Sequence, residues 1–153
     1  MKAIFTFSLF VLLTVAARAD QPYNENANAR QDVKSACAQA AAGKKAVVVV
    51  FGANWCGDCK MLDAVMKSGD TAALLARDFT IVKVNVGRFD KNVDLARECG
   101  ISLGKGIPAV AILSCDDKVL YSTRQGELAD ARKMGSKAIY EFFKKNIAPV
   151  AAN

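Results

Sequence analysis

Apolar and polar positions along the chain fall into blocks whose period changes from one to the next. Between Ala29 and Ala42, residues Val33, Ala36, Cys37 and Ala40 recur at helical spacing, and Gly43 stands where such a helix would stop. Residues 46–51 are an unbroken β-branched and apolar run between Lys44-Lys45 and Gly52, the pattern of a strand buried on both faces. From Lys60 to Lys67 the spacing of Met61, Leu62, Val65 and Met66 is helical again. Residues 71–77 read as a short helix, and 79–86 as a second buried strand interrupted by Lys83 and Asn85. A helix over 90–99 is closed by Gly100. Ile107-Pro108 opens a strand over 109–113, Asp116-Asp117 makes a turn, and 119–123 alternates as the second strand of a hairpin. A closing helix over 129–146 carries Ala138, Ile139, Phe142 and Phe143 on one face.

This order predicts one α/β domain over residues 29–148, with a central mixed sheet of four to five strands and helices on both faces. The first two strands, joined through helix, are expected to run parallel with a right-handed crossover. No internal repeat or low-complexity block interrupts the chain.

The first nineteen residues have a different character. Lys2 supplies a positive start, residues 4–17 are mostly apolar, and Ala17-Arg18-Ala19 is a small-x-small cleavage site, so 1–19 reads as a signal peptide. The run is short of the roughly 20 apolar residues needed to span a bilayer. No cysteine stands at the cleavage point for a lipid anchor, so no stable membrane insertion is expected after processing. A periplasmic or secreted location follows. Residues 20–28, with Pro22 and three asparagines, are expected to form a flexible leader.

Charge and composition narrow the chemistry. Loss of Lys2 and Arg18 leaves 19 basic and 15 acidic residues, a mild net charge of +4. The basic residues are scattered with no aromatic-interleaved block, which argues against a nucleic-acid partner. The chain has no histidine, which excludes Ser-His-Asp and Cys-His catalysis and histidine metal sites. Cysteine, carboxylate and lysine remain as the reactive inventory.

Two of the five cysteines, Cys56 and Cys59, flank Gly57-Asp58 between a predicted strand and a predicted helix. At that position unpaired backbone N–H groups and the helix dipole favour a thiolate on the first cysteine, making Cys56 the expected nucleophile. Cys59, one turn on and less exposed, would attack the mixed disulfide formed on Cys56 and release reduced substrate. A structural zinc site usually needs two such pairs, and only one exists, so no metal is expected. Arg88 and Arg97 lie in no peroxidase-like motif.

The run Val47 to Lys60, VVVVFGANWCGDCK, together with Gly106-Ile107-Pro108 some fifty residues later, resembles thioredoxin-family proteins over about residues 30 to 147. Among them it looks most like exported members, including the periplasmic C-terminal domain of the membrane reductant conductor. The resemblance implies a thioredoxin-like fold and a cis Pro108 facing the two cysteines. It further implies that Ile107 offers main-chain hydrogen bonds to an extended peptide, and that Trp55 walls a shallow substrate surface beside an exposed Cys56. No organic cofactor is implied. The expected partners are protein disulfides and an electron-donor thiol protein, and the chain is expected to be a monomer.

The chain departs from thioredoxin in several places. Thioredoxin commonly buries an acid six residues before the first cysteine, where this chain has Val50, although Lys83 matches the lysine that accompanies that acid. Gly52 replaces a bulky aromatic, and Gly57-Asp58 replaces Gly-Pro. Asp58 either disfavours the Cys56 thiolate, which points to a reductase or reductant relay over an oxidase or isomerase, or is a solvated acid of little effect. A binding module that has lost turnover is the rival outside enzymology. The loop 87–91 and the stretch 100–106 are longer than thioredoxin's and would lie near the active end of the sheet. Cys37, Cys99 and Cys115 are either small buried hydrophobes or include a second disulfide, with Cys99 and Cys115 the candidate pair.

Overall fold

The computed structural model describes residues 21–116 and 118–147. The predicted signal peptide, Asp117 of the predicted turn and position 148 of the predicted domain lie outside the described residues. Within them the order is α1 (Ala29–Ala42), β1 (Ala46–Gly52), α2 (Gly57–Met66), α3 (Gly69–Asp78), β2 (Phe79–Asn85) and α4 (Val93–Glu98). A single 3-10 turn, β3 (Ala109–Leu113), β4 (Val119–Ser122) and α5 (Ala131–Ile147) complete it. α2 starts three residues earlier than its apolar spacing predicts, because Cys56 caps it, and α4 is shorter at both ends than the predicted helix.

The four strands lie in the order β2-β1-β3-β4. β1 pairs with β2 in parallel and with β3 antiparallel, and β4 closes an antiparallel hairpin on β3. Every residue of β1 and β3 is buried, as continuous Val/Ile/Ala runs require of inner strands covered on both faces. α1 packs on β1 and β2, while α2, α3 and α5 pack against one another. Asn28 caps α1, its side chain accepting from the Gln31 N–H.

Two features were not legible as elements. α5 breaks at Gly135, whose φ of 73° and ψ of 165° are outside the helical region and open to glycine alone. The segment 21–28, expected as a flexible leader, contributes to the fold instead: Tyr23 is 2% exposed and belongs to the core. A phenol ring amid asparagines is the one side chain there large and apolar enough to be driven inside. No helix among the described residues is long and apolar enough to cross a membrane.

Candidate active site

The antiparallel register sets Ala109 of β3 opposite Phe51 of β1. The chain entering β3 therefore lies beside the chain leaving β1, and Ile107-Pro108 comes to face the segment 53–59. The Ile107–Pro108 peptide bond is cis.

Cys56 is the N-cap of α2, and its sulfur accepts the Cys59 backbone N–H at 3.2 Å. Its thiol donates to the Ile107 carbonyl oxygen at 3.5 Å. Cys56 is 6% exposed and Cys59 is fully buried. The first value corrects the expectation of an exposed nucleophile, since the Ile107 backbone lies against the sulfur. Ile107, whose main chain is expected to bond an extended peptide, thus has its carbonyl engaged by Cys56.

The two sulfurs share a hydrogen bond that separates their acidities. It lowers the Cys56 thiol to about 7, helped by the Cys59 and Asp58 N–H groups and opposed by burial and the Asp58 charge. The same bond, with burial, pushes Cys59 far upward. The first sulfur is poised as thiolate and the second as thiol, the division that attack and resolution need.

Trp55, 53% exposed, is fixed by its indole N–H donating to the Gly87 carbonyl oxygen at 2.8 Å. Its ring meets Phe89, itself 44% exposed, edge to face at 5.9 Å. The loop after β2 therefore does reach the active end. Beyond Phe89 a groove of about 490 Å³ runs along Val93, Ile101 and Leu103 to Gly106, so the stretch 100–106 lines it.

Residues 28–114 match the Thioredoxin-like family. The chain belongs to that family. As a thioredoxin-like protein it is 45% identical to the crystal structure of a disulphide isomerase from Xylella fastidiosa Temecula1, with a TM-score of 0.79 over 82% of this chain and 96% of the other. It is 31% identical to thioredoxin domain-containing protein 8 of Rattus norvegicus over 67% of this chain and 75% of that protein. A thioredoxin of Buchnera aphidicola subsp. Baizongia pistaciae is 34% identical over 56% of this chain and 70% of its own. The chain is therefore a thioredoxin-like thiol–disulfide oxidoreductase.

Around the two sulfurs of this thioredoxin-like protein, the structure resolves the open alternatives. Asp58 is no free acid: the Arg132 backbone N–H and guanidinium both donate to its carboxylate at 3.0 Å. That partner holds the carboxyl below the usual carboxylate range. Asp58 raises Cys56, as expected, but by less than the hydrogen bonds lower it, so the Cys56 thiol lies below its ordinary range and not above it. Arg132 also crowds Gly57, where an added methyl would lie 3.1 Å from the guanidinium.

A buried acid, expected to be missing because position 50 is valine, is present on α2. Asp63 ion-pairs with Lys83 and, at 2.7 Å, with Lys67. Val50 and Lys83 are register partners, so the acid meets the same lysine from the helix instead of from the strand. Its signal in the sequence was an acid one turn after Cys59 on the stripe of apolar residues. Tyr23 and Asn54, which also reach the site, were not anticipated.

Cys37, Cys99 and Cys115 stand as thiols and all line one cavity of about 670 Å³ formed with α1 and α4, so the candidate Cys99–Cys115 bond is not made. Burial pushes the Cys99 thiol up to about 11, which marks it as unreactive. Among the described residues no group of three His, Cys, Asp or Glu side chains is placed to hold a metal ion.

Proposed function

We propose that the protein is an exported disulfide reductase, or reductant relay, acting on protein disulfides outside the cytoplasm and recharged by an electron-donor thiol protein. The Cys56 thiolate attacks one sulfur of a substrate disulfide, forming a Cys56–substrate bond and expelling the other substrate sulfur, which takes up a proton. Cys59 then displaces the second substrate sulfur, closing the Cys56–Cys59 bond, so the substrate gains two electrons and the protein loses them. The surface of Trp55 and Phe89 and the groove beyond it supply an apolar bed for an unfolded segment around the target disulfide.

What supports the direction is the setting of Cys56, a helix N-cap whose sulfur accepts the Cys59 N–H at 3.2 Å while burial and the Asp58 charge oppose the thiolate, leaving its acidity constant at about 7. Reductants of this chemistry have values near 7, whereas a strong oxidase has about 3.5, because a very stable thiolate stabilises the dithiol form. Equilibration with glutathione or dithiothreitol tests it: a potential of about −270 mV is expected, and one near −120 mV makes the protein an oxidant. Export is supported by the residues of 1–19 and is tested by fractionation and the mass of the mature chain, expected to begin at Asp20.

A second reading, disulfide isomerase, is favoured by the name of the 45% identical Xylella structure. Recovery of activity from a scrambled-disulfide ribonuclease without added reductant separates the two, since a pure reductase reduces the scrambled protein without reshuffling it.

A further inference from the structure

Tyr23 is clasped at both backbone groups by the buried side chain of Asn54. The Tyr23 N–H donates to Asn54 Oδ1 at 3.0 Å, and Asn54 Nδ2 donates to the Tyr23 carbonyl oxygen at 2.8 Å. Asn54 stands two residues before Cys56, so the clasp fastens the N-terminal segment to the turn that carries the nucleophile. From that anchor the ring runs inward over Gly52. A methyl group added at Gly52 would fall 2.2 Å from the phenol oxygen of Tyr23, 2.4 Å from its Cζ and 2.9 Å from Cys59 Sγ.

Two side chains thus converge on one point, and the missing side chain at position 52 leaves the room for the phenol to lie against the resolving sulfur. The hydroxyl and Cys59 Sγ are neighbours, both within 3 Å of the place a Gly52 methyl would take. Burial, reinforced by the two cysteines, pushes the Tyr23 phenol far above neutral pH, so it stays protonated and acts as a donor, never as a base.

We propose that Tyr23 is the side-chain donor that stabilises Cys59 as it becomes a thiolate in the resolving step. A fully buried anion without donors is strongly disfavoured. Once Cys56 is bound in a mixed disulfide it carries neither a proton to donate nor a charge, and the shared hydrogen bond that kept Cys59 protonated is gone. The side-chain donor that the fold sets beside Cys59 is then the Tyr23 hydroxyl, across the space left by Gly52. Cys59 then attacks Cys56 Sγ, the Cys56–substrate bond breaks, and the proton lost from Cys59 is balanced by the one the departing substrate sulfur takes up.

This inference rests on the thiol–disulfide exchange reading, and one experiment tests both separately. Reduced protein is mixed in stopped flow with one equivalent of 5,5′-dithiobis(2-nitrobenzoate), with mass spectrometry of quenched samples to follow the adduct on Cys56. The first thionitrobenzoate reports attack by Cys56, and the second reports resolution by Cys59. In Tyr23→Phe, which keeps the ring in place, the first release is expected within twofold of the native rate. The second is expected to slow by roughly tenfold or more at pH 7, since a hydrogen bond to a charged group is lost, and its pH midpoint moves upward.

A native-like second release in Tyr23→Phe overturns the proposal. Equal slowing of both releases with a lowered Tm also overturns it, because that is the signature of packing alone. If the native protein gives no first release, the exchange reading itself falls and the role of Tyr23 falls with it.

Discussion

A sulfur at the N-cap of a helix accepts an N–H that would otherwise have no partner, and this makes Cys56 acidic without a histidine. Because the thiolate is the nucleophile, the rate of attack on a disulfide is expected to rise with pH through a midpoint of about 7 and then level off. An ordinary thiol would show its midpoint near 8.5. Alkylation of reduced protein by iodoacetamide across pH 5–10 measures it. Asp58 acts on the same sulfur with the opposite sign. Its charge raises Cys56, and Arg132, held by Asp58, is drawn toward both. Asp58→Asn removes the repulsion and frees the guanidinium, so the midpoint is expected to fall below the native value. The alkylation rate at pH 6 should rise about threefold, which corresponds to roughly half a pH unit. An upward move would mean that Asp58 chiefly positions Arg132.

At the scale of elements, the link of most consequence below the active site is Asp63 on α2 with Lys83 on β2. Asp63 is almost wholly buried and Lys83 largely so, while Lys67, the second cation on Asp63, is more than half exposed. Lys83→Met leaves a buried carboxylate facing one solvated lysine, and removing one partner of a buried pair costs about 3 kcal/mol. Urea denaturation is expected to show that loss, and Asp63→Leu combined with Lys83→Met to recover most of it, since the pair is replaced by apolar volume. Elements of this kind were legible from local sequence: the short β-branched run between Lys45 and Gly52 marks β1, and the helical spacing of Met61, Leu62, Val65 and Met66 marks α2. The ion pair was not, because its acid comes from a helix position where the family resemblance directed attention to the strand. The break in α5 was equally hidden, since Gly135 sits within a sequence whose apolar spacing continues past it.

For the whole molecule, the reactive centre is assembled from four stretches far apart in sequence: the N-terminal segment with Tyr23, the turn 52–59, the entry to β3, and the start of α5 with Arg132. The two middle stretches could be read from motif and spacing, Cys56-Gly57-Asp58-Cys59 and Ile107-Pro108. The two outer ones carry no motif, because a lone tyrosine or arginine acquires meaning only from what the fold sets beside it. Gly52 was the trace of this in the sequence, a missing side chain whose volume is supplied from elsewhere. The segment before α1 should therefore behave as core and not as a dispensable tail. Shortening the chain to begin at Ala27 keeps the Asn28 cap and all four strands, so far-UV circular dichroism is expected to remain native-like. It removes the Tyr23 ring from a closed site beside Gly52 and Cys59, and losing a buried aromatic side chain costs about 3–5 kcal/mol. The denaturation midpoint of the shortened protein should fall accordingly, and a midpoint equal to that of a chain beginning at Asp20 would show that the segment is only a leader.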